Sequence, residues 1–297
     1  MNRRDLLMGT VVNSTVATAV GLPALARAAA PRLRIGLTPV ILADQAAFLS
    51  RWAEYLSQRL QSPVTFTARD EYQPILDLMF GGQLDAAWIC GYPFVRQQPQ
   101  LRLLAVPLYR GQPTYQSYLI RATGSPIQGW ADLRNKVFAY SDRLSNSGWL
   151  VAQGELAATG NGAGNGAGMG AVQLKRAFFA HGHRNVAEAV AARLADAGAI
   201  DGYVWETMRQ QKLAAALQTE VVWRSAPHGF PPIVAPLASQ HSQLGALQQV
   251  LQAMPNDEVG RALLKSLNLD GFIAGSVAMF DSIRALARSV PGSGVAA

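Results

Sequence analysis

Residues 72–90 read YQPILDLMFGGQLDAAWIC and pass from an apolar-periodic run, stopped at Gly81 and Gly82, into a short β-type run that ends at Cys90. Two glycines end a helix, and an Ala-Ala-Trp-Ile run suits a buried strand. Working back towards the N-terminus, PVTFTAR (63–69) reads as a strand and QAAFLSRWAEYLSQRL (45–60) as an amphipathic helix behind an Asp44 cap. Phe48, Trp52, Tyr55, Leu56 and Leu60 recur there at three- and four-residue steps. LRIGL (33–37) supplies one more strand. This βαβαβ order predicts a parallel sheet with helices on its faces.

Working forward, the pattern restarts after TYQSYLIRA (114–122). VFAYSD (137–142), AFFAHG (177–182) and IDGYVW (200–205) are strand-like, with helices expected near 147–158 and 185–195. VVWRSAP (221–227) and FPPIVAPLA (230–238) lead to two more helices, near 240–253 and 256–266. The expected architecture is α/β, with two Rossmann-like lobes around a ligand cleft. Chain crossings near 113–118 and 226–234 would divide lobe one, 29–115 with 230–297, from lobe two, 116–229. Such a cleft lies at the carboxyl ends of the strands. ATGNGAGNGAGMGA (158–171) has little to bury and reads as a flexible insertion in lobe two. It lacks the preceding strand and the following Lys-Ser/Thr of a phosphate-cradling loop.

The composition is globular, 49% hydrophobic and 15% charged, and the net charge of +7 is spread along the 297 residues with no basic run. A nucleic-acid binder concentrates such charge in a patch or arm, so no nucleic-acid partner is expected. A diffuse positive field suits a small anionic ligand or simple solubility. The N-terminus, MNRRDLLMG, places Arg3 and Arg4 before an apolar stretch that ends in ALARAAA. This order suits a twin-arginine signal peptide over 1–28, cleaved beside Ala28, and a periplasmic mature protein. Asn13, Ser14, Thr15 and Pro23 interrupt the stretch, which is short for a membrane span.

SDRLSNSGWLVAQGEL (141–156) carries Ser145, Asn146 and Ser147 where a strand gives way to a helix. Hydroxyls and free N–H groups at a helix start make an oxyanion site, and the same residue types make a plain N-cap. Residue physics leaves those two readings level. Cys90 is the single cysteine, so no intramolecular disulfide forms. A buried cysteine packs as a small hydrophobe, and an accessible one offers a soft ligand. Cys90, His183 and Asp201 also supply the side chains of a nucleophile–base–orienter set, although no local catalytic signature surrounds them. His181 and His183 have no companion ligands at metal spacing, so neither a metal nor any cofactor is expected.

Five pieces in order resemble the phosphonate/phosphite-type solute-binding proteins of ABC importers: EYQPILDLMFGGQLDAAW (71–88), TYQSYLI (114–120), WADLRNKVFAYSDRLSNSGWLV (130–151), GHRNVAEAVAARLADAGAID (182–201) and SAPHGFPPIV (225–234). The resemblance implies the type II periplasmic binding architecture and a monomeric, non-enzymatic receptor that passes an oxyanion such as a phosphonate, phosphite or phosphate to a membrane permease. It also implies ligand contacts at Tyr72, Tyr115, Ser145, Asn146, Ser147 and His183, with Asn146 where the family has threonine. Where the family's aminophosphonate binders have carboxylates, this chain has Tyr203 and Pro231. Asp201 and Glu206 lie nearby as substitutes, and Cys90 and Tyr92 are expected on the cleft side of lobe one. Cys90 stands where the family has a small residue. A related branch, the arsenite-binding receptors that inform a two-component sensor kinase, uses a cleft cysteine. Arsenite is therefore the alternative ligand.

Overall fold

The computed structural model describes residues 31–39, 46–160 and 172–295. The expected signal peptide, the Asp44 cap and most of the Gly-rich insertion lie outside the described residues.

The first half of the chain lays down β1 (Leu33–Leu37), α1 (Ala46–Leu60), β2 (Val64–Ala68), α2 (Tyr72–Phe80), β3 (Ala86–Trp88), α3 (Gly91–Gln97) and β4 (Leu101–Leu108). β1 pairs in parallel with both β2 and β3, as the βαβαβ pattern requires. The periodic residues of α1 are the ones it buries, and Trp52 stacks on Phe66 of β2 at 4.8 Å. The chain then leaves through the short β5 (Thr114–Tyr115).

A second sheet follows, with β6 (Ser117–Ala122), β7 (Val137–Tyr140), α4 (Val151–Gly160), β8 (Arg176–Phe179), α5 (His183–Ala191), β9 (Ala197–Asp201), α6 (Gly202–Gln210), α7 (Ala214–Leu217) and β10 (Thr219–Arg224). Its strand order is β10-β6-β9-β7-β8, with the β7 pairs parallel and the β6 pairs antiparallel. β11 (His228–Gly229) pairs with β5, so outgoing and returning chain run side by side between the sheets.

The return adds β12 (Ile233–Pro236), α8 (Leu244–Ala253), α9 (Glu258–Leu267), β13 (Gly271–Ile273) and α10 (Asp281–Ser289). β12 inserts between β3 and β4, completing a six-stranded first sheet ordered β13-β4-β12-β3-β1-β2. α10 packs between the halves. A Cβ on Gly91 of α3 would come within 2.5 Å of Ile283 Cδ1, and one on Gly154 of α4 within 2.8 Å of Leu286 Cδ1. At both positions an α10 side chain packs directly against the helix backbone, which leaves no room for a Cβ.

Candidate functional site

Five helix starts meet at the seam between the sheets: Tyr72 opens α2, Cys90 is the N-cap of α3, Ser145 caps a π-turn (Asn146–Leu150) that leads into α4, His183 opens α5, and Asp201 is the N-cap of α6. Cys90 follows β3, Ser145 follows β7 and Asp201 ends β9, at carboxyl ends of strands. A helix start presents N–H groups without intrahelical acceptors and the positive end of the dipole. Each of Tyr72, Cys90, Ser145, Asn146, Ser147, His183 and Asp201 is buried.

Hydrogen bonds connect them across the seam. The Tyr72 hydroxyl lies 3.2 Å from His183 Nε2, and the Asp201 backbone N–H donates to His183 Nδ1 at 3.1 Å. The Asn146 N–H donates to Cys90 Sγ at 3.3 Å, and Asn146 Nδ2 to the Tyr115 hydroxyl at 3.0 Å. Beneath the loop, Gly148 N–H donates to Ser145 Oγ at 2.9 Å and Ser117 Oγ to the Ser147 carbonyl at 2.7 Å. Asp142 accepts from the backbone of Leu144 at 2.7 Å and, across the seam, of Tyr72 at 3.1 Å. The π-turn widens the helix entry, an irregularity common at functional sites. Position 148 has no room for a side chain, since a Cβ there would fall 1.8 Å from Ser141 Oγ.

Four buried side-chain atoms here have no partner: Ser141 Oγ, Asn146 Oδ1, Ser147 Oγ and Asp201 Oδ2. Buried polar groups ordinarily have partners, so four orphans in one place point to a ligand. Burial holds the His183 imidazole neutral, down to about 3. Its Nδ1 accepts from Asp201, so its proton sits on Nε2 and is donated to Tyr72. Burial pushes the Cys90 thiol up to about 11, against the pull of N–H groups from Asn146 and Tyr92. Burial also raises the Asp201 carboxyl to about 8, against the N–H groups of Val204 and Tyr203 that it caps. Among the described contacts of these residues none comes from a Lys or Arg side chain. Any anion held here is balanced by dipoles and neutral donors.

The structure thus brings Tyr72, Cys90, Tyr115, Ser145, Asn146, Ser147, His183 and Asp201 together. It does not bring the side chains of Tyr92 and Glu206 there. The Tyr92 hydroxyl donates to the Ser293 carbonyl and its ring stacks on Trp149, so only its backbone N–H reaches Cys90. Glu206 accepts from the Tyr118 hydroxyl at 3.2 Å and pairs with Arg110 at 3.5 Å. Ser141 and Asp142 also belong to the cluster, beyond the residues expected from the sequence. Their signal is the end of β7, where AYSD turns polar at a strand's carboxyl end.

Where carboxylates would face an ammonium group, Tyr203, Phe230, Tyr109 and Tyr115 form an aromatic wall, with Tyr203 and Phe230 centroids 5.0 Å apart and Tyr115 and Phe230 5.7 Å apart. The Tyr203 hydroxyl donates to the Leu267 carbonyl and the Pro231 carbonyl accepts from Trp88 Nε1. Neither faces a cation. The catalytic set does not assemble: both His183 ring nitrogens are engaged elsewhere, and Asp201 Oδ1 caps a helix. Among the described residues no group of three metal-ligating side chains occurs.

Two α/β halves meeting at a buried, donor-rich seam define the type II periplasmic binding class. A family model described as "ABC transporter, phosphonate, periplasmic substrate-binding protein" matches residues 35–280, and the chain belongs to that family. Similar solved structures include a binding protein component of an ABC phosphonate transporter from Pseudomonas aeruginosa, 21% identical, with 86% of this chain and 85% of that one covered and a TM-score of 0.75. Another is PhnD1 from Prochlorococcus marinus in complex with methylphosphonate, 20% identical over 87% of this chain and 97% of that one, TM-score 0.71. The aliphatic sulphonate binding protein SsuA from Escherichia coli is more distant, 17% identical over 88% and 79%, TM-score 0.54. At these identities the structures speak for the fold, and the family match for the role: a periplasmic receptor that serves a phosphonate-type ABC importer. Arsenite has no support among these relatives, and a neutral thiol already accepting two N–H groups is a poor metalloid ligand.

Proposed function

We propose that the seam cluster binds one tetrahedral oxyanion that is bare or carries a compact apolar substituent, of the size of phosphite or methylphosphonate. The observation that carries this reading is the set of orphaned atoms of Ser141, Asn146, Ser147 and Asp201 beside the Tyr72 and Tyr115 hydroxyls. Turning the Asn146 amide exchanges its two ends, so that Tyr115 donates to Oδ1 and Nδ2 joins the donors aimed at the ligand. The aromatic wall itself contributes no carboxylate for an aminoalkyl tail, which leaves Asp201 as the one carboxyl beside Tyr203 and Tyr115. Lobe one, 29–115 with 230–297, and lobe two, 116–229, would close on the ligand by a hinge at the β5–β11 ribbon.

In this reading the protein is a monomer without catalytic activity, exported with cleavage of 1–28, and its partner is the permease rather than a sensor kinase. The unassembled Cys90–His183–Asp201 set supports the non-enzymatic role. Titration calorimetry with phosphite, methylphosphonate, phosphate and 2-aminoethylphosphonate tests the ligand class. A compact oxyanion should bind at least ~100-fold more tightly than the aminoethyl compound, a difference of about 2.7 kcal/mol. Equal or tighter binding of 2-aminoethylphosphonate would overturn the proposal, as would binding of none of the four.

A further inference from the structure

Asp201 meets the cluster's histidine through its backbone N–H, and its two carboxyl oxygens differ. Oδ1 accepts from the N–H groups of Tyr203 at 2.9 Å and Val204 at 3.3 Å, while Oδ2 is buried with no partner. Every other orphan in the cluster is a hydroxyl or an amide able to donate. A charged Oδ2 beside an oxyanion would place two negative charges in one dry pocket, with no Lys or Arg in the described contacts to offset them.

We infer that Asp201 shares one proton with the bound oxyanion, so that Oδ2–H donates to a ligand oxygen and binding at alkaline pH draws a proton from solution. This rests on the oxyanion reading above and specifies the ionisation state the site accepts. The titratable groups facing Asp201 are Tyr72 of α2, Cys90 before α3, Tyr109 after β4, Tyr115 of β5 and Tyr203 of α6, all buried except the half-buried Tyr109 and all raised first by desolvation, so none supplies a countercharge. From α5, His183 is neutral and receives the Asp201 N–H at 3.1 Å. Burial accordingly holds the Asp201 carboxyl up at about 8. Bound dianion with neutral Asp201, and bound monoanion with charged Asp201, contain the same number of protons. A sulfonate cannot bring the proton itself and depends on Asp201 for it.

The test is calorimetry of methylphosphonate and methanesulfonate between pH 6.5 and 9.5, in pairs of buffers with different ionisation heats. With wild-type protein at pH 9, methylphosphonate should bind with uptake of about one proton, and affinity should fall about tenfold per pH unit. Asn caps a helix as well as Asp and carries a permanent donor. Asp201→Asn should therefore bind both ligands without proton uptake and with a flat profile above pH 8, while its melting temperature verifies folding. Wild-type binding without proton uptake would overturn the inference and leave the oxyanion reading standing. Unchanged uptake in folded Asp201→Asn would do the same. Failure of every oxyanion to bind would overturn both. The wild-type measurement decides the matter even where the variant does not fold.

Discussion

The Tyr72 hydroxyl and His183 Nε2 meet at 3.2 Å, joining the start of α2 under the first sheet to the start of α5 under the second. Because His183 Nδ1 already accepts the Asp201 N–H, Nε2 is the donor and Tyr72 accepts. The tyrosine's own proton is then free to be given to a ligand. Tyr72→Phe leaves the Nε2–H without a buried acceptor and removes that donor. Oxyanion affinity should fall about 10- to 100-fold, the worth of one to two buried hydrogen bonds, with the fold retained. Calorimetry beside circular dichroism checks this, and unchanged affinity would place the ligand away from Tyr72.

Gly148 sits in the tight π-turn of the cluster, with Ser141 Oγ where its Cβ would be. Gly148→Ala must displace either Ser141 or the π-turn. We expect a loss of about 1–3 kcal/mol in stability and a larger proportional loss in binding, because both displaced elements carry donors. Urea unfolding and calorimetry on the same preparation separate the two effects. A variant as stable and as tight as wild type would contradict the packing described.

Cys90 Sγ holds the loop's Asn146 N–H at 3.3 Å, and its thiol is pushed up to about 11. Cys90→Ser keeps an acceptor at that point, so oxyanion affinity should stay within about threefold of wild type. Thiol alkylation near pH 7.5 should be slow, since little thiolate is present that far below the thiol's pKa. It should also slow further with saturating ligand. A large affinity loss in the serine variant would mean the sulfur itself touches the ligand.

The buried titrating groups predict opposite slopes of stability with pH. His183 falls from 6.5 to about 3 on folding and His228 from 6.5 to about 4, burial being the cause for both. The unfolded chain binds those protons first, so their contribution is full above 6.5 and lost as pH falls towards 3–4. Asp201 rises from 3.8 to about 8, so the folded state keeps a proton the unfolded chain has lost, and that contribution drains away as pH rises to 8. His183→Gln should flatten the acid side of the urea-midpoint profile. Asp201→Asn should flatten the stretch from 6.5 to 8, where the histidines no longer titrate. Parallel profiles for all three proteins would contradict these assignments.

The proposed site would hold its anion with helix starts and neutral donors, inside the protein. Raising sodium chloride from 0.05 to 0.5 M should therefore change ligand affinity less than about threefold, since buried interactions are screened little. A loss of tenfold or more would indicate an exposed cationic contact.

Much of the fold is visible in local patterning because its first unit is. Trp52 and its companions recur at helical spacing, and β1, β2 and β3 follow in register. Local patterning does not disclose β4, β13 or α10. β4 is buried along most of its length and shows no alternation, β13 is three residues long, and α10 draws its meaning from Gly91 and Gly154 far away in the chain. The cluster residues announce themselves at strand-to-helix junctions, where polar side chains follow apolar runs. Tyr92 and Glu206 mislead for one reason each. Tyr92 lies one step into α3, turned towards a C-terminal segment whose return no local pattern discloses. Glu206 lies more than a turn along α6 beyond Asp201, where it meets Tyr118 and Arg110.

The tight contact between Gly148 and Ser141 also limits how new specificities can arise from this scaffold. This corner of the cluster is built from backbone and small hydroxyl residues with no spare volume, so on the proposed reading substitutions there would weaken binding of every oxyanion alike. The rings of Tyr203 and Phe230 pack on each other and, through Phe230, on Tyr115 of the cluster, and the Tyr203 hydroxyl is spent on the Leu267 carbonyl. Divergence among such receptors, natural or engineered, has its accessible route through that wall: smaller rings lengthen the substituent that fits, and a carboxylate there admits an amine, while the oxyanion grip is inherited unchanged.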